Sequence, residues 1–485
     1  MLVSSSELSN LKKPLTKKLF FGNEVNAELL AILLVYLVQG IVGLARLAIS
    51  FFLKDELALS PAEVSALMGI AGLPWIVKPL FGFMSDGLPI LGYRRRPYLI
   101  LSGLLGSASW ICLATVVHTA WAATAAIALG TLAITVSDVI VDSLVVERAR
   151  GESVSHAGSL QSLAWGASAL GGLITAYFSG YLLEHFSTRT VFGITATFPL
   201  IVSCVAWLIA ESPVFELPDA GSVWHQVQQL GKAVSQKAIW MPTVFIFLCQ
   251  STPSADAAFF FFNTNELGFQ PEFLGRVRLV TSVASLVGVW LFQKYFKTMP
   301  FRTIFGWTTV ISTILGMSML LLVTHTNRAL GIDDKWFSLG DSLVLTVMGQ
   351  IAYMPVLVLA ARLCPPGIEA TLFALLMSVV NLAGMLSAQF GALLMHWFGI
   401  SATNFELLWL LVVITNLSTL LPLPFLGWLP TGDPQTDLES HTIQPIPALE
   451  LDSTASKHMG QPFLPDLMSE LVQHSRLVEV EKTVE

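Results

Sequence analysis

The ionisable side chains inside long apolar runs of this sequence include Arg46, Lys78, Asp138, Asp142, Asp256, Arg276 and Arg278. A charge within such a run is costly to keep and is a functional candidate by default. Asp138 and Asp142 are four residues apart, so on a helix they share one face, an arrangement suited to exchanging a proton or accepting from N–H groups. Arginine grips a carboxylate through two parallel hydrogen bonds. Gln39 and Arg46 lie two turns apart on one helical face, and Trp75 stands three residues from Lys78, an aromatic plane beside a cation. Flat heterocycles with an anionic tail suit such surroundings, and four cations against three acids give a slight positive excess. The chemistry on offer is binding and proton exchange. The sequence holds no nucleophile–base constellation, no metal-ligand spacing and no phosphate loop, so an enzyme, a cofactor and a metal site are not expected.

The elements that position these groups follow from composition. Of 485 residues, 54% are hydrophobic and only 12% charged, with mean hydropathy +0.69. Soluble domains carry about 25% charged residues. A soluble enzyme, a nucleic-acid binder and a disordered scaffold are excluded; the reading is an all-α, multi-pass membrane protein surrounded by lipid. Runs long enough to cross a bilayer lie near 29–53, 62–85, 97–117, 120–146, 155–183, 190–210, 238–262, 272–295, 301–323, 338–363, 369–397 and 404–429, which makes twelve expected transmembrane helices. Fifteen Lys and Arg fall in one set of alternating loops and four in the other. Basic loops stay cytoplasmic, so both termini are expected inside. The expected organisation is a basic N-terminus (1–28), a six-helix bundle (29–210), a central loop (211–237) with an amphipathic helix over Trp224–Val234, a second bundle (238–430) and an acidic tail (431–485). That tail carries three basic and ten acidic residues and reads as a solvated, disordered extension.

The two bundles repeat. FFLKDELALSP from Phe51 aligns without gaps on FFNTNELGFQP from Phe261, an offset of 210, and GGLITAYFSGYLLEHF from Gly171 aligns on AGMLSAQFGALLMHWF from Ala383, an offset of 212. Two six-helix parallel repeats are the pattern of the major-facilitator fold, in which the halves rock about a site at mid-membrane. The first offset makes Arg46 and Asp256 equivalent positions of opposite sign. They read either as a pair linked to a ligand or as a structural bridge.

The loop between the second and third runs contains Gly82, Asp86, Gly92 and the basic run Arg94, Arg95 and Arg96. It resembles the major-facilitator loop motif, in which Asp86 is expected to pair with Arg148 and latch one side. With LSPAEV (from Leu59), PWIVKP (from Pro74), SDGLPILGYRRRPY (from Ser85) and SDVIVDSLVVERAR (from Ser137), the chain resembles the folate-biopterin transporter family, in its cyanobacterial and plastid-type branch. That resemblance implies a monomeric plasma-membrane carrier of folates or pterins, with a proton as coupling ion. It carries Lys78, Asp86, Arg94, Arg95, Arg96, Asp138, Asp142 and Arg148 as transport-relevant positions. Arg46, Asp256 and Arg278 rest on the physical argument above. The expected roles are anion binding by Arg46, Lys78 and Arg278, heterocycle or proton contact by Asp138 or Asp256, and gating by Asp86 with Arg148. Two other readings stay open: a carrier of another small organic anion or nucleoside-like metabolite, and a non-transporting tetrapyrrole or pigment assembly factor of the same fold.

Overall fold

A computed structural model of the chain describes residues 26–149, 154–213, 228, 230–364 and 369–430. The basic N-terminus and the acidic tail lie outside these; of the amphipathic segment, residues 228 and 230–234 are helical. Apolar sequence folds here as helix because a helix satisfies its own backbone polar groups, which lipid cannot. The rods run in chain order. They are α1 (Ala27–Glu56), α2 (Pro61–Ala71, Leu73–Ile76 and Lys78–Gly87), α3 (Arg96–Thr115), α4 (Ala120–Ala149), α5 (Val154–His185) and α6 (Thr188–Leu208). The second half has α7 (Lys237–Gln250, Asp256–Phe261 and Phe262–Glu266), α8 (Pro271–Phe296), α9 (Phe301–Val323), α10 (Asp334–Arg362), α11 (Glu369–Trp397) and α12 (Leu408–Trp428).

Nine helices among the described residues are long and apolar enough to cross a membrane, α1, α3, α4, α6 and α8 to α12. The runs expected at α2 and α7 are broken into shorter pieces, for a visible reason. In α2, Pro79 lacks the N–H that would pair with the Trp75 carbonyl, and Asn381 Nδ2 of α11 donates to that carbonyl instead at 3.2 Å. In α7, the Ser251–Ala255 break hands its backbone to α11. Ser254 N–H donates to Ser387 O at 3.2 Å, and Ser387 Oγ donates to Thr252 O at 2.5 Å.

The repeat read from sequence recurs in the backbone. Phe52–Glu56 and Phe262–Glu266 are both π-helical turns. Each is followed by a left-handed residue, Ala58 at φ 50° and Gly268 at φ 66°, and then by a helix opening on proline. Thr175 of α5 donates to Gly40 O at the end of the first α1 segment at 3.3 Å; its equivalent, Ser387 at the offset of 212, does the same for Thr252. Arg96 at the start of α3 donates to Ile209 O at the end of α6, and Arg302 at the start of α9 donates to Leu429 O beyond α12, both at 2.7 Å. The offsets therefore mark a structural repeat.

The first half is packed around Leu29, Ile32, Leu99, Leu113, Ile140 and Phe192, the second around Phe245, Phe305, Leu359 and Leu372. The halves meet along two seams, α2 on α11 and α5 on α8. At the second seam a Cβ added to Gly180 would stand 2.8 Å from Gly275 Cα, so both glycines are required for the backbones to approach. Hydrogen bonds between the halves run from the α1–α2 turn to mid-helix: Lys54 to Asn265 (2.8 Å), Ser65 to Ala388 O (2.9 Å), Gln389 to Ala66 O (2.8 Å) and Asn381 to Trp75 O.

Candidate functional site

α1 and α7 are interrupted at corresponding positions. α1 breaks at Gly43–Leu44, just before Arg46. α7 breaks at Ser251–Ala255, just before Asp256. Matched interruptions in two repeats are where such folds build their binding sites.

One group of charges lies between α1, α2 and α4. Lys78 Nζ donates to Asp138 Oδ2 and, at 3.0 Å, to Asp142 Oδ2. The Tyr36 hydroxyl donates to the other oxygen of Asp142. Lys78 Nζ also stands 5.7 Å from the Trp75 ring centroid, a cation–π distance. Gln39 neighbours Asp138, while its Nε2 is buried without a hydrogen-bond partner. Two carboxylates against one ammonium leave an excess negative charge, and the Asp142 side chain is 41% exposed. The cluster therefore presents hydrogen-bond acceptors and an aromatic face. Lys78 is committed to the two aspartates, so the structure gives it a neutralising position.

The second group is cationic. Arg278 of α8 lies three residues beyond the Gly180–Gly275 crossing, which carries its guanidinium to Ser179 of α5 at 3.4 Å. Arg46 of α1 is exposed and close enough to Arg278 for the two charges to repel. Among the described residues neither forms an ion pair. Two like charges in electrostatic range of each other, with no ion pair among the described residues, make this a cationic region. Arg276 is engaged elsewhere, in a 2.6 Å surface pair with Glu272.

Asp256 is exposed at the start of its helical segment, and no ion pair joins it to Arg46 among the described residues. The side chains of Asp86 and Arg148 lie outside those described. The basic run is tied down locally. Backbone N–H groups of Arg94, Arg95 and Arg96 all donate to the Glu211 carboxylate at 2.5, 3.0 and 3.0 Å, and Arg95 also donates to Ser85 Oγ at 3.1 Å. A carboxylate on the first N–H groups of α3 is a favourable helix start. Among the described residues no group of three or more His, Cys, Asp or Glu side chains converges as a metal site would.

The sequence pairs Lys78 with Trp75 and Asp138 with Asp142 but gives Lys78 to an anionic ligand, so the joining of Lys78 to the aspartates is new in the structure, as are Tyr36 and Glu211. Tyr36 sits three residues before Gln39 on the same face of α1, but that spacing does not by itself mark it as a partner of Asp142. Glu211 is 115 residues or more from its partners, and nothing local announces it.

Comparison with known proteins places these residues in context. The model of the BT1 family matches residues 39–446. The "Folate-biopterin transporter" of Synechocystis sp. is 59% identical over 471 residues, covering 95% of each chain. "Probable folate-biopterin transporter 2" of Arabidopsis thaliana is 34% identical, covering 82% of this chain and 81% of its own. "Putative folate transporter 2" of Plasmodium berghei is 32% identical, covering 86% and 91%. Among solved structures, the nucleoside transporter NupG superposes with TM-score 0.64 at 13% identity, covering 83% of this chain and 99% of its own. A D-xylose-proton symporter superposes with TM-score 0.60 at 14% identity, covering 83% and 97%. At such identities the likeness is one of fold, and the fold is the major-facilitator fold.

Proposed function

This chain belongs to the BT1 family, and on that premise we propose that it is a proton-coupled carrier of folates or related pterins working by alternating access. The observation that carries the reading is that Arg46 and Arg278 lie within electrostatic range of each other and form no ion pair among the described residues. Folate ends in a glutamate with two carboxylates, one for each guanidinium. Its pterin ring presents N–H donors to Asp138 and Asp142 and a flat face to Trp75, with the Gln39 amide beside them. Gln39 and Arg46 are separated by about 10 Å along α1 at 1.5 Å per residue, which suits a molecule with its heterocycle and its acids at opposite ends. The folate-biopterin relatives support the same substrate class.

In this reading the chain crosses the plasma membrane twelve times as a monomer, with both termini cytoplasmic and two six-helix bundles joined through 211–237. The α1–α2 end, where the halves meet, is then the outer end, so the conformation is closed to the outside. Rocking of the halves opens that end and brings the opposite ends together. Asp86 with Arg148 latches the inner side, with Arg94, Arg95 and Arg96 holding the α2–α3 loop to the end of α6. Asp138 and Asp256 are candidates for carrying the proton.

The test is uptake of labelled folic acid into cells lacking their own folate carrier, with the proton gradient intact or collapsed. Accumulation that collapses with the gradient is the expected result. Uptake insensitive to the gradient keeps the substrate and removes the proton. No pterin uptake, with the protein verified in the membrane, refutes the carrier reading and favours an assembly factor, and failure of unlabelled pterins to compete points to another anion.

A further inference from the structure

Among the described residues, the second half contains a carboxyl group that forms no ion pair. Asp341 lies about two turns inside α10, against the interruption of α9 at Ser318 between Gly316 and Met319. Ser318 Oγ is in hydrogen-bond contact with both Leu315 O and Asp341 Oδ1. A serine hydroxyl has one hydrogen to give, and a carbonyl has none. Three oxygens therefore share two contacts, and the serine can fill only one of them. A protonated Asp341 supplies the hydrogen for the second contact, whereas an ionised one accepts from Ser318 and leaves its other oxygen with no donor. The other carboxyl oxygen, Oδ2, is buried and has no hydrogen-bond partner. An ionised carboxylate there would leave Oδ2 desolvated and unpaired, with no cation paired to it among the described residues, a costly arrangement in a membrane helix.

The charges on the surrounding elements are committed elsewhere. On α8, Arg276 pairs with Glu272, Arg278 faces Ser179 and Arg46, and Lys294 stands over the Trp290 and Tyr295 rings. On α9, Arg302 is at the far end, holding Leu429 O. In the turn between α9 and α10, His325 faces Glu266 at 3.9 Å and Arg328 pairs with Asp334 at 2.6 Å. Among the described residues no cation forms an ion pair with Asp341. The contrast with Asp138 and Asp142 is chemical: Lys78 compensates those two as anions, and Asp341 has a serine hydroxyl but no cation beside it among the described residues.

We propose that Asp341 is a proton-carrying carboxyl of the second half, neutral in the conformation closed at the α1–α2 end and ionised when movement of α9 against α10 admits water. The carboxyl O–H bond then breaks, its proton passes to that water and the carboxylate is left behind. The proposal rests on the proton-coupled reading above, and its tests separate the two.

Infrared difference spectra of the full chain in lipid vesicles, wild type minus Asp341→Asn, should show the carbonyl stretch of a protonated carboxyl at neutral pH. Ser318→Ala should shift that band, and Asp341→Glu should restore one. No such band in the wild type would overturn the proposal. In the same vesicles, Asp341→Asn should keep counterflow of labelled folate and lose accumulation driven by a proton gradient. Gradient-driven accumulation as strong as wild type in Asp341→Asn would overturn it too. A wild type without folate counterflow but with the carboxyl band removes the substrate and leaves the proton site standing.

Discussion

Replacing Lys78 by methionine tests the site at its most connected atom. The ammonium holds Asp138 and Asp142 together, and its loss leaves two carboxylates facing each other inside the membrane. The Lys78 and Asp138 side chains are 20% and 15% exposed, and breaking a pair that buried costs about 3–5 kcal/mol, mostly for the charge left behind. Asp142 is 41% exposed, so water takes up most of its loss and its share is below about 1 kcal/mol. Lys78→Met should therefore destabilise the chain by about 3–5 kcal/mol. Adding Asp138→Asn should recover most of that loss, and adding Asp142→Asn only a small part. The measurement is a double-mutant cycle on equilibrium unfolding in mixed micelles, run for both pairs. A coupling of about 2 kcal/mol or more for Lys78 with Asp138, and clearly less for Lys78 with Asp142, is the expected result. Equal couplings, or a Lys78→Met variant as stable as wild type, would refute the assignment of Lys78 as the neutralising centre.

Arg46→Gln should cut folate uptake about 10- to 100-fold, the loss of one charge-assisted contact of about 1.5–3 kcal/mol. It should change biopterin uptake little, because biopterin lacks the glutamate; equal losses for both would show that Arg46 does not read the carboxylates. Gly180→Ala should slow uptake by obstructing the approach of α5 to α8, while Gly166→Ala, with nothing within 4 Å of the added carbon, should leave it unchanged. Glu211→Ala should lower stability by about 1–3 kcal/mol by stranding the N–H groups at the start of α3, with Glu211→Gln milder. Unfolding midpoints of the two variants decide this, and no difference from wild type would assign Glu211 to solvent.

The members of the Lys78 cluster were readable, though not the joining of Lys78 to the aspartates, because two physical rules single them out. A span cannot hide a charge, and aspartates at i and i+4 share a face. The repeat was readable because Phe51, Phe52, Glu56, Leu57 and Pro61 recur with even spacing, and the backbone answers with the same π-turn and the same left-handed residue. Pro74 and Pro79 in α2, and Pro253 in α7, announce the breaks that divide those rods. Other features had no local signal. Arg96 and Arg302 read as basic anchors of a cytoplasmic loop, yet their guanidiniums close helix ends more than 110 residues away. Tyr36 reads as an aromatic in an apolar run until Asp142 arrives from another helix. Asp341 lies near one end of its run, where an acid reads as interfacial; its contact with Ser318 and its buried, unpartnered oxygen appear only in the fold.

The halves share their backbone devices and divide their chemistry. Thr175 and Ser387 perform one task, as do the two π-turns and the arginines at the starts of α3 and α9. The first offset carries Lys78 onto Gly288, however, where a Cβ would stand 2.7 Å from the Gln350 side chain and 2.8 Å from Val347 O. Where the first half spaces α2 from α4 with an ammonium and two carboxylates, the second packs α8 directly on α10. At this position the first half is polar and the second is packed backbone to side chain, and α8 places Arg278 on the side facing α5. On the reading proposed above, a ligand is gripped chiefly by the first half and released when α8 carries Arg278 away from Arg46. The proton would then be held apart from the ligand, in the half that grips it least. That separation predicts that Arg278→Gln weakens folate binding while leaving the Asp341 carboxyl band in place, and that Asp341→Asn does the reverse. If either substitution moves both observables equally, the two halves share one site.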